Sequence, residues 1–271
     1  MADSERSAGA LLIDALRSAG VTHLFANFGS DHPAIIEALA QDRAAGVDVP
    51  TVILCPHEFS ALSAAHGYAA ATGRPQAVFV HTDVGTANLG GAVHNAARSR
   101  VPVFVFAGLT PYTLEGELPG GRNTFVNHLQ DVADQHGLVR PYVKWSYDLR
   151  TAVNVPQVVH RALQIARSAP AGPVYVTAAR EVLEQRAADV PLDVERWQPV
   201  SASPAPDGVV DESLPSADAG VPAPHRHDVP RAAALRRSSA RRSRGAARHP
   251  GRRVQRRSAE LPSRSPPPRR R

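Results

Sequence analysis

Residues 55–96 read CPHEFSALSAAHGYAAATGRPQAVFVHTDVGTANLGGAVHNA, and their patterning decides the fold. HEFSALSAAHGYAAATG (57–73) is predicted to be a helix rich in small residues that ends at Gly73. QAVFVHT (76–82) follows as a strand, and residues 86–99 as a second helix with a small-residue face. The same alternation extends in both directions. TVILC (51–55) reads as a buried strand and THLFANF (22–28) as a short apolar strand closed by Gly29. ALLIDALRSAG (10–20) and AIIEALAQDRAAG (34–46) read as helices, the second opened by Pro33, and both stopped by glycine. VPVFVFAG (101–108) is a further strand, followed by a long polar loop over 109–128. Residues 129–137 are assigned a short helix, YVKWSY (142–147) a strand, VPQVVHRALQIARS (155–168) an amphipathic helix and GPVYVTA (172–178) a last buried strand.

Apolar strands alternating with helices predict an α/β fold: a doubly wound, mainly parallel sheet with helices on both faces. Ligands in such sheets sit at the carboxyl ends of the strands. That rule collects Gly29–Ser30, Cys55–Glu58, Thr82–Asn88 and Gly108–Thr110 on one rim. Gly67 lies inside a helix, where glycine costs about 1 kcal/mol against alanine, so a close neighbour is expected there.

The domain is assigned to residues 1–190, a linker to 191–215, and a disordered Arg/Pro-rich tail to 216–271. The tail is too poor in apolar residues to offset its ordering entropy. A reading-frame shift near residue 212 in a GC-rich gene would produce the same composition. Net charge follows this division. Residues 226–271 carry 16 Arg against Asp228 and Glu260, so the overall +6 hides an acidic body of −8, and the basic pI describes the tail alone. Cys55 is the only cysteine, which excludes an internal disulfide and a cysteine-rich metal site. No long apolar stretch reads as a signal peptide or a membrane span, so a cytoplasmic location is expected. His57, His81 and His94 have no metal-ligand spacing and are assigned as solvated or core histidines.

Residues 55–96 resemble the most characteristic stretch of the thiamine-diphosphate (ThDP) enzymes of the acetolactate synthase type. The likeness runs through a His-Glu pair (His57-Glu58), a helix ending Gly67-Tyr68-Ala69…Thr72-Gly73, a strand, and a Gly-x-x-Asn turn (Gly85…Asn88). Leu129-Gln130-Asp131, Val143-Lys144-Trp145 and Gly172-Pro173-Val174 extend the resemblance in order, so that it covers roughly residues 8–185. It identifies residues 1–190 as similar to the pyrimidine-binding N-terminal domain of that family.

The resemblance implies thiamine pyrophosphate binding and 2-keto acid decarboxylation or carboligation, a transferase or lyase chemistry. In the family, a glutamate at the start of this helix hydrogen-bonds N1′ of the cofactor's aminopyrimidine and favours the imino form that activates the thiazolium; Glu58 is placed to do so. Its ordinary alternative is an acid favoured by the helix dipole. Gly29, Ser30, Gly85 and Asn88 fall where the family contacts the cofactor, though Gly85 and Asn88 equally suit plain helix entry. Gln130 and Asp83 fall on the substrate side, Gln130 having an exposed helix-start glutamine as its alternative, and Asp83 setting a carboxylate where the family usually has a small turn and where an anionic keto acid would come.

The family's second ThDP domain, with its Gly-Asp-Gly motif and later Asn for Mg²⁺ and diphosphate, has no counterpart in these residues, and no metal ligands are assigned. The chain is therefore expected to be inactive alone, and to need a homodimer mate or partner subunit that supplies the diphosphate-binding domain. FAD is left open, because the family's FAD contacts lie mostly outside this stretch. Two other readings stand beside this one: a non-catalytic subunit or remnant, and nonspecific nucleic-acid binding through the arginine-rich tail. The last ranks lowest, since the tail has no aromatic residues for stacking.

Overall fold

The computed structural model describes residues 5–123, 132–188 and 192–201. A short strand β1 (Arg6–Ser7) leads into α1 (Ala8–Ser18), then β2 (His23–Asn27), α2 (Pro33–Ala44), β3 (Thr51–Leu54), α3 (Glu58–Thr72) and β4 (Ala77–Val80). The chain continues through α4 (Thr82–Asn88), α5 (Gly90–Arg98), β5 (Phe104–Leu109), β6 (Trp145–Leu149), α6 (Val155–Arg167), β7 (Val174–Ala179), α7 (Arg180–Glu184) and β8 (Arg186–Ala187). Six strands form one sheet in the order β3-β2-β4-β5-β7-β6, and every pair in it is parallel. This is the expected doubly wound α/β architecture.

Strand alternation builds two cores. Leu24, Ala26, Phe79, Phe104, Phe106 and Val176 point to the face covered by α1, α2 and α6. The residues between them, Phe25, Val78, Val80, Val105 and Tyr175, point to the face covered by α3 and α5. With side chains alternating at a period of two, a parallel sheet covered on both sides needs apolar residues at every position. The local signals act as read: Ser7 Oγ accepts from the Ala10 amide at the start of α1, Pro33 opens α2, and Gly73 ends α3 in the left-handed region (φ 72°).

Several expectations are corrected. TVILC is not buried: β3 is an edge strand whose Ile53 and Leu54 are 37% and 73% exposed, because hydropathy alone does not distinguish a covered strand from an edge. The single helix over 86–99 is two, with the chain already helical from Thr82 and broken between Asn88 and Gly90. The strand expected at 142–147 is 145–149. An antiparallel pair, β1 with β8, ties the N-terminus to the end of the domain and went unread because two residues carry no period. Gly67 has no close neighbour: a Cβ there would meet nothing within 4 Å, since it lies on the exposed side of α3. The segment Leu129-Gln130-Asp131 and the tail 216–271 lie outside the described residues, as does most of the linker. No helix among the described residues is long and apolar enough to cross a membrane.

Two glycines in helices should therefore respond oppositely to alanine. At Gly9 in α1 a Cβ would sit 2.8 Å from the Ala34 backbone carbonyl carbon, so Gly9→Ala should destabilise by about 1–3 kcal/mol. Gly67→Ala meets open space and should stabilise by up to about 1 kcal/mol. Urea midpoints at unchanged m-value measure both, and equal effects would contradict this packing.

Candidate functional site

The strand order reverses between β2 and β4: the chain goes outward from β2 to β3, then returns across β2 to start β4 and continue to β5. Loops leaving β2 and β4 thus diverge, and a crevice opens between their carboxyl ends. Glu58, the first residue of α3, fills its floor. It is 6% exposed. Its Oε1 accepts from Asn27 Nδ2 at 2.9 Å, at the end of β2, and its Oε2 accepts from Asn88 Nδ2 at 3.0 Å, at the end of α4. One amide on each oxygen fixes the carboxylate plane and leaves lone pairs for a further donor. A Cβ at Gly85 would come within 3.1 Å of Val80 Cβ and 3.4 Å of Glu58 Oε1, so glycine keeps α4 close to the acid. His57 caps α3, its Nδ1 accepting from the Phe59 amide at 3.1 Å.

A second buried acid spans the same crevice. Asp31, 2% exposed, places Oδ1 2.7 Å from His81 Nδ1, and its Oδ2 accepts the Thr82 amide at 3.2 Å. Burial opposes ionisation of Asp31, but hydrogen bonds from His32 and His81 outweigh it and hold the carboxyl well below its usual range. His81 is raised, chiefly by the hydrogen bond to Asp31, against the effect of burial. The carboxylates of Asp83 and Glu58 add to the rise. With Nδ1 committed to Asp31, the Nε2 edge of a ring whose side chain is 35% exposed is left free for other partners. His32 is fully buried, edge-on to Phe28, Phe79 and Phe106. Its Nδ1 lies 2.8 Å from Asp31 Oδ1 and 3.1 Å from the Gly29 amide, and can serve one at a time. Thr82 turns from β4 into α4 at φ 42°, a conformation that costs a β-branched residue about 1–3 kcal/mol. The Asp31 bond to its amide and the Thr86 hydroxyl bond to its carbonyl (2.7 Å) hold it there.

Of the residues singled out from sequence, the fold brings Glu58, Gly85 and Asn88 together. Gly29 and Gly108 serve the second acid: a Cβ at Gly29 would overlap the His81 ring, and one at Gly108 the Asp31 carboxylate. Ser30 is exposed on the loop. Asp83 is half-buried on the rim, and Gln130 lies outside the described residues. Asn27, Asp31 and the role of His81 were missed. A polar residue ending an otherwise apolar strand was the available signal for Asn27. Asp31 and His81 are 50 residues apart, and no local pattern links them.

A cavity of about 690 Å³ lies on the other half of the rim, beyond Asp83, against β5 and β6. Glu58 does not line it. The surroundings of Glu58 are open instead: Leu54, Phe59 and Val84, on β3, α3 and α4, are 73%, 42% and 56% exposed.

Comparison with known proteins gives these features a setting. Residues 6–138 match the family model described as thiamine pyrophosphate enzyme, N-terminal TPP binding domain. Benzoylformate decarboxylase of Pseudomonas aeruginosa is 31% identical over 194 residues, which is 72% of this chain and 30% of that protein. Acetolactate synthase of Bacillus subtilis is 28% identical over 175 residues, 65% of this chain and 28% of the relative. Among solved structures, the thiamine diphosphate-dependent 4-hydroxybenzoylformate decarboxylase of Rhodococcus jostii RHA1 superposes with a TM-score of 0.54 at 26% identity, covering 73% of this chain and 34% of that one. The chain thus spans under a third of the length of the two curated relatives it matches here.

The Asp31–His81 pair predicts a pH signature. Asp31, lowered, contributes stability above the ordinary carboxylate value, which is lost as pH falls through its folded value. His81, raised, contributes stability that is full below the ordinary histidine value and is lost as pH rises through its raised one. Asp31→Asn should therefore cost most, about 3 kcal/mol, between about pH 4 and 6.5, and less on either side. Urea titrations of both proteins across pH measure this, and a pH-independent difference would exclude the coupling.

Proposed function

The chain belongs to the thiamine pyrophosphate enzyme family through its N-terminal TPP-binding domain, residues 6–138, and on that premise we propose that Glu58 holds the aminopyrimidine ring of thiamine diphosphate as one half of a 2-keto acid decarboxylase or carboligase site. The observation that carries the reading is the buried Glu58 carboxylate at the strand-order reversal, gripped by Asn27 and Asn88 with spare lone pairs on both oxygens. The surroundings fit a flat heteroaromatic ring. Gly85 adds no side chain beside Oε1, and Leu54, Phe59 and Val84, on the neighbouring ends of β3, α3 and α4, are exposed apolar side chains.

Thiamine diphosphate, when bound, supplies a carbanion-stabilising centre for breaking the bond beside a ketone. The chain's own residues do the rest. Glu58 would share one proton with the ring nitrogen of a bound aminopyrimidine, donating it to the neutral ring or accepting it from the protonated one, away from bulk water. Asn27 and Asn88 keep the carboxylate in one plane, which a proton-sharing acid needs. His81, held by Asp31 through Nδ1, offers Nε2 for proton transfer at the reacting centre. Asp83 sets a carboxylate on the rim and discriminates among anionic substrates.

No group of three or more His, Cys, Asp or Glu among the described residues suits a metal ion. In this reading Mg²⁺ and the diphosphate are held by a second domain that these residues do not contain, supplied by a partner subunit. FAD enters no step of it.

Such a half-site should recognise the pyrimidine and ignore the diphosphate. Calorimetric titration of the full chain, at salt high enough to screen the arginine-rich tail, should give similar affinities for thiamine and thiamine diphosphate. Glu58→Gln should weaken both by about tenfold or more. Unchanged binding in Glu58→Gln with the fold intact would remove Glu58 from this role.

A further inference from the structure

The cavity of about 690 Å³ beyond Asp83 contains a histidine whose proton position the hydrogen bonds dictate. The Thr177 hydroxyl donates to Asp148 Oδ1 at 3.2 Å, since a carboxylate only accepts. A hydroxyl has one proton, so Thr177 Oγ1 can only accept from its second neighbour, His136 Nε2, at 2.8 Å. His136 therefore carries its proton on Nε2. Its ring is held edge-on to Tyr175, with centroids 5.2 Å apart at 82°. The preceding residue, Gln135, is anchored by bonds from its Nε2 to Tyr175 Oη at 2.9 Å and the Gly108 carbonyl at 3.0 Å. Burial pushes the imidazole below the ordinary histidine range, outweighing the nearby acids Asp148 and Asp134. Nδ1 is left as an acceptor with no protein donor among the described residues, on a ring that lines the cavity.

The charges around the cavity select what could meet that acceptor. Each lining guanidinium faces an acid of the same lining: Arg140 Nη2 lies 2.9 Å from Asp134 Oδ1, and Arg150 Nε lies 3.7 Å from Asp148 Oδ2. Asp83 has no ion-pair partner among the described residues, so the lining is acid-rich. Leu109, Val132 and Tyr147 supply apolar wall.

We infer that this cavity is a subsite for a hydroxyl-bearing organic ligand, a phenol or alcohol, whose O–H donates to His136 Nδ1 while its carbon frame lies along Leu109 and Tyr147. A carboxylate has no proton to give Nδ1 and would meet Asp83, Asp134 and Asp148 on the same lining. The subsite uses neither Glu58 nor a cofactor, so it stands or falls apart from the thiamine reading.

Ring-nitrogen NMR on the ¹⁵N-histidine-labelled full chain tests it, with phenol and benzoate as probes at matched concentration. The free protein should show His136 protonated on Nε2. Phenol should move the Nδ1 resonance and benzoate should not. His136→Gln keeps an N–H for Thr177 and removes Nδ1; it should weaken phenol binding by about two- to tenfold. A proton on Nδ1, an equal response to benzoate, no response to phenol, or phenol affinity unchanged in His136→Gln would each overturn the inference. Should that variant not fold, the tautomer and the two probe titrations on the unaltered chain still decide.

Discussion

Two carboxylates, Glu58 and Asp31, lie buried on the crevice between β2 and β4, and much of the local structure follows from the need to partner them. A buried charge without hydrogen bonds is prohibitively costly. Asn27 and Asn88 therefore close on Glu58, while His81 and the Thr82 amide close on Asp31. The space these groups occupy excludes side chains at Gly29, Gly85 and Gly108. Even the strained turn at Thr82 fits this account, because its amide bonds to Asp31 and its carbonyl to Thr86.

The rim beyond these acids has two unlike halves. Around Glu58 the surface is open and apolar, with a polar acceptor at the bottom. In the proposed reading this surface forms one side of the cofactor site. Around His136 the protein forms its own cavity, walled by β5, β6 and the segment following residue 131, with Gln135 pinned to the sheet by Tyr175 and the Gly108 carbonyl. Asp83 stands at the boundary of the two halves, near His81 on one side and lining the cavity on the other.

Much of this was legible in the chain itself. Continuous apolar runs such as VFVFA and VYVTA, alternating with helices, point to a parallel sheet covered on both faces, because crossover helices bury both sides of each strand. The order of His57-Glu58, Gly85 and Asn88 around one helix–strand–helix unit was readable because the spacing along the chain sets the spacing in space. Gly67 and β3 show the limit. Helix propensity assigns a cost to a glycine without saying which way it faces, and hydropathy makes TVIL apolar without saying that it ends the sheet.

Residue order by itself determined the main strands and helices, the parallel sheet they form and the rim on which chemistry would gather, since periodicity and chain stops are local properties. Tertiary structure alone decided which groups meet there. Asn27 reaches Glu58 across 31 residues, Asp31 reaches His81 across 50, and His136 reaches Thr177 across 41. Those contacts depend on strand order and on side-chain directions at the crevice, and a one-dimensional pattern does not encode which strand lies beside which.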